Sequence, residues 1–179
     1  DEVEPTAVIE SGPLEATVVQ LFEPWMEDAA AWGAANLLNR FNCEVTASTT
    51  NNDSQKPKRV VDGLEGTAWS CKSDDPAPSI TITPREPIKA DALVLTHFST
   101  MPQDLASLDT AEKIAVRING GPPKTFDLEA DPYRPTRLPL GAPVVIKKIE
   151  IAVVERRPGR AWPGSVGFAE IGLELRSPK

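Results

Sequence analysis

At 179 residues the chain is long enough for one well-buried core and short for two, which points to a single domain with an appendage. Its formal net charge of −7 is unevenly held: residues 1–44 carry nine acids against one base, Arg40, while the remaining 17 acids and 18 bases nearly cancel. A near-neutral body without a Lys/Arg face argues against a nucleic-acid partner, and no run approaches the eighteen or so apolar residues of a membrane span.

In chain order, Asp1 to Pro13 is acidic, carries Pro and Gly, and shows no sustained apolar period, as a linker or the tail of a preceding domain would. The chain opens without Met or a signal peptide, which suits a processed chain or an excised piece of a longer one. Ala16 to Phe22 is rich in Val and suits an edge strand, so residues 1–23 read as an acidic linker or edge segment. Pro24 to Arg40 carries helix signals: Pro at the first position, Glu27 and Asp28 in the first turn, an Ala-rich middle and Arg40 at the end. Trp25, Ala29, Trp32 and Ala35 fall on one stripe, which predicts a helical segment over 24–42 packed on the body through its tryptophans.

From Glu44 the texture changes to alternation, and the 18 prolines fall in short runs between strand-like stretches. Val45 to Thr49 reads as an opening strand, followed by a polar loop to Lys58. Ser79 to Thr83 has a clean period of two. Ala92 to Thr96 has the continuous apolar character of a central strand and ends in His97 at a loop mouth. Ser99 to Thr110 is a long excursion, with one helical turn expected over Asp104 to Leu108. Lys113 to Asn119 alternates so that Ile114, Val116 and Ile118 face one way and Lys113, Ala115 and Arg117 the other. Asn119-Gly120-Gly121 predicts a hairpin into Lys124 to Leu128. Asp131 to Pro143 is Pro-rich and reads as a loop. Val144 to Val154 and Val166 to Leu175 are the two best strands, separated by a basic loop from Arg156 to Gly164. Such an order of short antiparallel strands predicts a mainly β, jelly-roll β-sandwich over residues 43–176. Cys43 and Cys71 flank its first strands, either as a disulfide in an oxidising compartment or as two buried thiols.

Two motifs narrow the reading. Val60 to Trp69 contains an Asp-Gly turn at Asp62, then Thr67 and Trp69 two residues apart on one face of the next strand. Oxygen ligands gathered at such a turn suit calcium, and a single His leaves little for zinc or copper. Gly164-Ser165-Val166-Gly167-Phe168-Ala169-Glu170-Ile171 runs from a Gly-bearing loop into a strand with one Glu among apolar neighbours. Together they resemble the discoidin-like, coagulation-factor type C family of galactose-binding-like jelly rolls, which includes many bacterial carbohydrate-binding modules. The resemblance covers roughly Cys43 to Arg176.

The resemblance implies a structural calcium held by Asp62, by oxygens of Arg59, Leu64 and Thr67, and by Glu170. Alternatively, Asp62 caps its own turn and Glu170 pairs with a Lys or Arg. It also implies a glycan site on loops at one end of the sandwich. An aromatic ring suits the C–H face of a pyranose, and planar guanidinium donors suit its hydroxyls. His97, Arg117, Arg160 and Trp162 are the residues expected there, Trp162 lying in a loop that also carries Arg156 and Arg157.

The chain has no Gly-x-Ser-x-Gly elbow, no phosphate-cradling Gly-rich loop and no His/Cys metal pair, so the expectation is that it is not an enzyme. The expected role is a non-catalytic carbohydrate-binding module anchoring a larger exported protein to a glycan, whether secreted, periplasmic or on the cell surface. The competing role is a structural or protein–protein interaction module of the same fold, without sugar binding.

Overall fold

The computed structural model describes residues 36–39, 41–64, 66–97, 108–129, 134–160 and 163–175. The chain divides between Ala34 and Ala35 into two units, and the first lies outside the described residues. The linker, edge strand and tryptophan stripe expected before residue 36 lie there too, as does the boundary expected at residue 23.

In the second unit the described residues form nine strands. They are β1 (Cys43–Ala47), β2 (Trp69–Ser70), β3 (Ser79–Pro84), β4 (Ile88–His97), β5 (Thr110–Ile118), β6 (Lys124–Asp127), β7 (Thr136–Ile146), β8 (Ile149–Arg157) and β9 (Gly167–Glu174). One sheet has the order β1-β3-β8-β5-β6 and the other β2-β9-β4-β7, with every pairing antiparallel. This is the β-sandwich that the alternation predicts. Ile80 and Ile82 of β3, Ile114 and Val116 of β5, and Ile149 and Ile151 of β8 are buried from one side. Trp69, Leu93, Leu95, Leu138, Phe168, Ile171 and Leu173 are buried from the other. Each fully buried aliphatic side chain contributes about 1.5–3 kcal/mol. Trp69 stacks on Phe168 with centroids 6.2 Å apart and donates its indole N–H to the Thr49 carbonyl at 2.9 Å.

β9 is buried along almost its whole length, because β2 and β4 flank it and residues 36–38 run beside it. The Leu37 N–H donates to the Leu173 carbonyl, and Asn36 Oδ1 accepts from the N–H groups of Leu38 and Leu173. The helix expected to reach Arg40 is therefore absent over 36–39: the Leu37 N–H goes to β9 and the Leu38 N–H to the Asn36 side chain, donors that a helix would use internally. Among the described residues, helical geometry occurs in two 3₁₀ turns: Asp53–Gln55 inside the expected polar loop and Pro57–Val61 at its end.

Of the two readings open for the cysteines, the second holds: Cys43 and Cys71 are both buried free thiols. They sit at opposite ends of the sandwich, Cys43 donating to the Asn39 carbonyl and Cys71 to that of Gly164. The Pro-rich stretch after 131 is no loop from Thr136 onward, since β7 runs through Pro139 and Pro143. It pairs only with β4, and an edge strand tolerates residues that cannot donate. The expected strand Val144 to Val154 is cut at Lys147 and Lys148, where the chain passes from one sheet to the other. Of the turn expected over Asp104 to Leu108, only Leu108 is described, and it makes a β-bridge.

Candidate functional site

β1, β2, β4, β6 and β8 finish at one end of the sandwich, where β3, β5, β7 and β9 begin. The long connections gather there, whereas short turns close the opposite end. Two buried carboxylates organise this loop end. Asp75 Oδ2 accepts from the hydroxyls of Ser48 and Thr49, both at 2.6 Å, and Oδ1 accepts from the Ala77 N–H at 3.0 Å. Burial alone would raise its pKa, but those donors outweigh burial and hold the carboxyl below its ordinary value.

Asp109, 6% exposed, does the same for the connection between β8 and β9. Its Oδ1 accepts the Gly159 N–H at 2.8 Å, and its Oδ2 lies 3.3 Å from Arg156 Nε. Arg156 Nη1 donates to the Gly164 carbonyl at 2.7 Å, and the Asp109 N–H donates to the Ser165 carbonyl at 2.9 Å. The motif glycines explain themselves here. A Cβ on Gly164, at φ +94°, would lie 2.2 Å from the Ser73 carbonyl oxygen, and one on Gly167 would lie 1.9 Å from that of Trp69. Only glycine lets these chains approach so closely.

His97 stands at this end as the last residue of β4, but it is 4% exposed and its Nε2 lies 3.2 Å from the Glu129 carbonyl oxygen. Burial lowers its pKa, opposed by that carbonyl and aided by Arg157, so the imidazole is neutral at pH 7. Its place is to hold the chain after β6. Arg160 lies in the β8–β9 connection, exposed and without an ion pair among the described residues. Arg156 is engaged by Asp109, and Arg157 Nε lies 3.6 Å from Glu112. Trp162 lies outside the described residues. Arg117 is not brought to the group. Seven residues along β5 from Thr110, it lies roughly 23 Å from the loop end, beside the opposite hairpin.

Around Asp62, oxygens converge. Thr67 Oγ1 lies 2.8 and 2.9 Å from the two carboxylate oxygens and 3.0 Å from the Leu64 carbonyl oxygen. The Leu64 N–H donates to Asp62 Oδ1 at 3.0 Å, so Asp62 does cap its own turn, and Arg59 Nη1 lies 3.3 Å from Oδ2. Glu170 is buried on β9 and accepts from Asn36 Nδ2 at 3.3 Å. Trp69 pairs with Phe168 and Ser70 with Gly167; extended two residues, that register brings Thr67 level with Glu170. No group of three or more His, Cys, Asp or Glu side chains converges among the described residues.

No protein-family model and no curated protein matches the chain. Solved structures do match. The family 32 carbohydrate-binding module of NanJ from C. perfringens, in complex with galactose, superposes with a TM-score of 0.60 at 14% identity, over 77% of this chain and 97% of that one. The F5/8 type C domain of a Bacteroides fragilis protein gives 0.58 at 16% identity, over 79% and 96%. Chitosan-binding module 1 of a chitosanase/glucanase from Paenibacillus sp. IK-5 gives 0.55 at 14% identity, over 77% and 97%. The chain thus has the fold of the carbohydrate-binding and F5/8 type C modules that its two motifs resemble. No helix among the described residues is long and apolar enough to cross a membrane.

Proposed function

We propose that this is a non-catalytic saccharide-binding module whose ligand face is the loop end, holding a larger exported protein near a glycan. The observation that carries the reading is the β8–β9 connection. Its two flanks are fixed by Asp109 and Arg156, and it bears the exposed Arg160 beside the Trp162 position. A connection with fixed flanks, whose sequence carries a planar donor and an aromatic residue, suits a sugar, because less loop entropy is lost when a small ligand binds. The likeness to modules solved with galactose or named for chitosan supports this class of ligand. A glycan array with calorimetric follow-up tests it. Binding that disappears in Trp162→Ala supports the reading, and unchanged affinity moves the site elsewhere. If no glycan binds and the chain instead captures a protein from its source, the interaction-module reading takes its place.

The Asp62 oxygens fit a structural calcium. The Thr67 hydroxyl has one proton but three oxygen neighbours within 3.0 Å, which leaves more lone pairs facing one another than hydrogen bonds can satisfy. A hard divalent cation would relieve that repulsion, with Asp62, the Leu64 carbonyl and Thr67 as ligands, joined by an Arg59 carbonyl and Glu170. Chelation should then lower the melting temperature of the wild type by several degrees and leave Asp62→Ala unaffected. Equal melting with and without chelator would mean that hydrogen bonds alone hold the turn.

A further inference from the structure

The last two residues of β8 and the connection to β9 carry three arginines, Arg156, Arg157 and Arg160, and the structure separates their tasks. Arg156 is 3.3 Å from the buried Asp109 carboxylate and donates to the Gly164 carbonyl, so one guanidinium spans both flanks of the connection. Asp109 reaches the near flank through the Gly159 N–H and the far flank through its own N–H to Ser165. Ser165 Oγ in turn donates to the Cys71 carbonyl at 2.8 Å, which anchors the far flank to the chain after β2. Arg157 faces Glu112 at the surface. Arg160, the residue after the near flank, is exposed.

We infer that Asp109 and Arg156 are positioning residues for ligand recognition: a two-point clamp that fixes the two flanks of the β8–β9 connection and sets affinity without touching the ligand. The physical basis is pre-organisation. Flanks left free at Gly159 and at Gly164–Ser165 would have to be ordered on binding, and each ordered residue costs about 1–2 kcal/mol. The clamp removes much of that loss in advance. Lysine cannot replace Arg156, because a single ammonium cannot span the carboxylate and the Gly164 carbonyl in the planar, two-sided way that guanidinium does.

The ligand arm of this inference rests on the saccharide-binding reading, but its structural arm does not. In the full chain, limited trypsin digestion followed by mass spectrometry reports cleavage at Arg160–Ala161, with Lys124–Thr125 at the opposite end as internal control. Asp109→Ala and Arg156→Lys should each be cut at Arg160 about tenfold faster, with the control bond unchanged, and the double variant should be no faster than the worse single one. Calorimetric titration with galactose should show affinity falling about three- to tenfold in Arg156→Lys, the milder change, with its melting temperature near wild type. Unchanged cleavage at Arg160 in both single variants would overturn the clamp. Faster cleavage with unchanged galactose affinity would overturn its role in recognition. A wild type that binds no galactose or other glycan refutes the saccharide reading, while the cleavage arm still decides the clamp.

Discussion

At the end opposite the long loops, one side chain serves two reversals. Asn119, at φ +52°, turns the β5–β6 hairpin, while its Oδ1 accepts from the N–H groups of Lys147 and Lys148 and its Nδ2 donates to the Val145 carbonyl. At the loop end the same need is met by carboxylates buried among hydroxyls, amides and a guanidinium. A short turn is closed by local backbone geometry, so an exposed amide suffices. Longer connections need an anchor with several strong acceptor sites, and a buried carboxylate supplies it at the cost of desolvation.

That contrast predicts unequal sensitivity. Asp75→Ala should be the most damaging, on the order of 2–3 kcal/mol, because it removes three hydrogen bonds to one buried carboxylate, from the Ser48 and Thr49 hydroxyls and the Ala77 N–H. Urea denaturation measures it, and a loss below about 1 kcal/mol would mean that the loop end rearranges freely. The same carboxyl gives the loop end a pH dependence. Its folded pKa lies below the ordinary 3.8, so its stabilisation is complete above that value and is lost as pH falls through the folded one. His97 acts in the same direction at higher pH, since the unfolded chain takes up its proton more readily below about 6.5. Melting temperature should therefore fall with acidification in wild type and fall less steeply in Asp75→Asn.

A smaller effect is expected at the turn end. Asn119→Ala should cost about 1–2 kcal/mol, from a left-handed backbone without Asn and from three lost hydrogen bonds. Asn119→Gly should recover roughly half, because it keeps the turn and loses only the bonds. Equal losses in the two variants would show that backbone conformation contributes little there.

Local chemistry made the turn end readable: Asn119-Gly120 announces its hairpin, and the period of two in β3 and β5 assigns their inward faces. The Asp62 turn and the Gly164 to Ile171 run were legible for the same reason, each being a contiguous stretch. The loop end was not. Asp74 and Asp75 are neighbours in one turn, yet one is exposed and the other buried, and nothing nearby in sequence distinguishes them. Asp109 and Arg156 are 47 positions apart and meet only because β5 pairs with β8. Residue type alone groups Arg117 with His97, and only strand direction shows that β5 carries it to the other end. His97 marks a strand end correctly, but whether its ring faces solvent depends on the Glu129 carbonyl folding over it.

Two exposed arginines at opposite ends give the most direct test of where ligand binds. Neither makes an ion pair among the described residues, so removing either should change stability by less than about 0.5 kcal/mol. Titration of a glycan that binds the wild type into Arg160→Ala and Arg117→Ala should show about a five- to tenfold loss of affinity in the first, near 1 kcal/mol, and none in the second. Loss confined to Arg117→Ala would contradict a ligand face at the loop end.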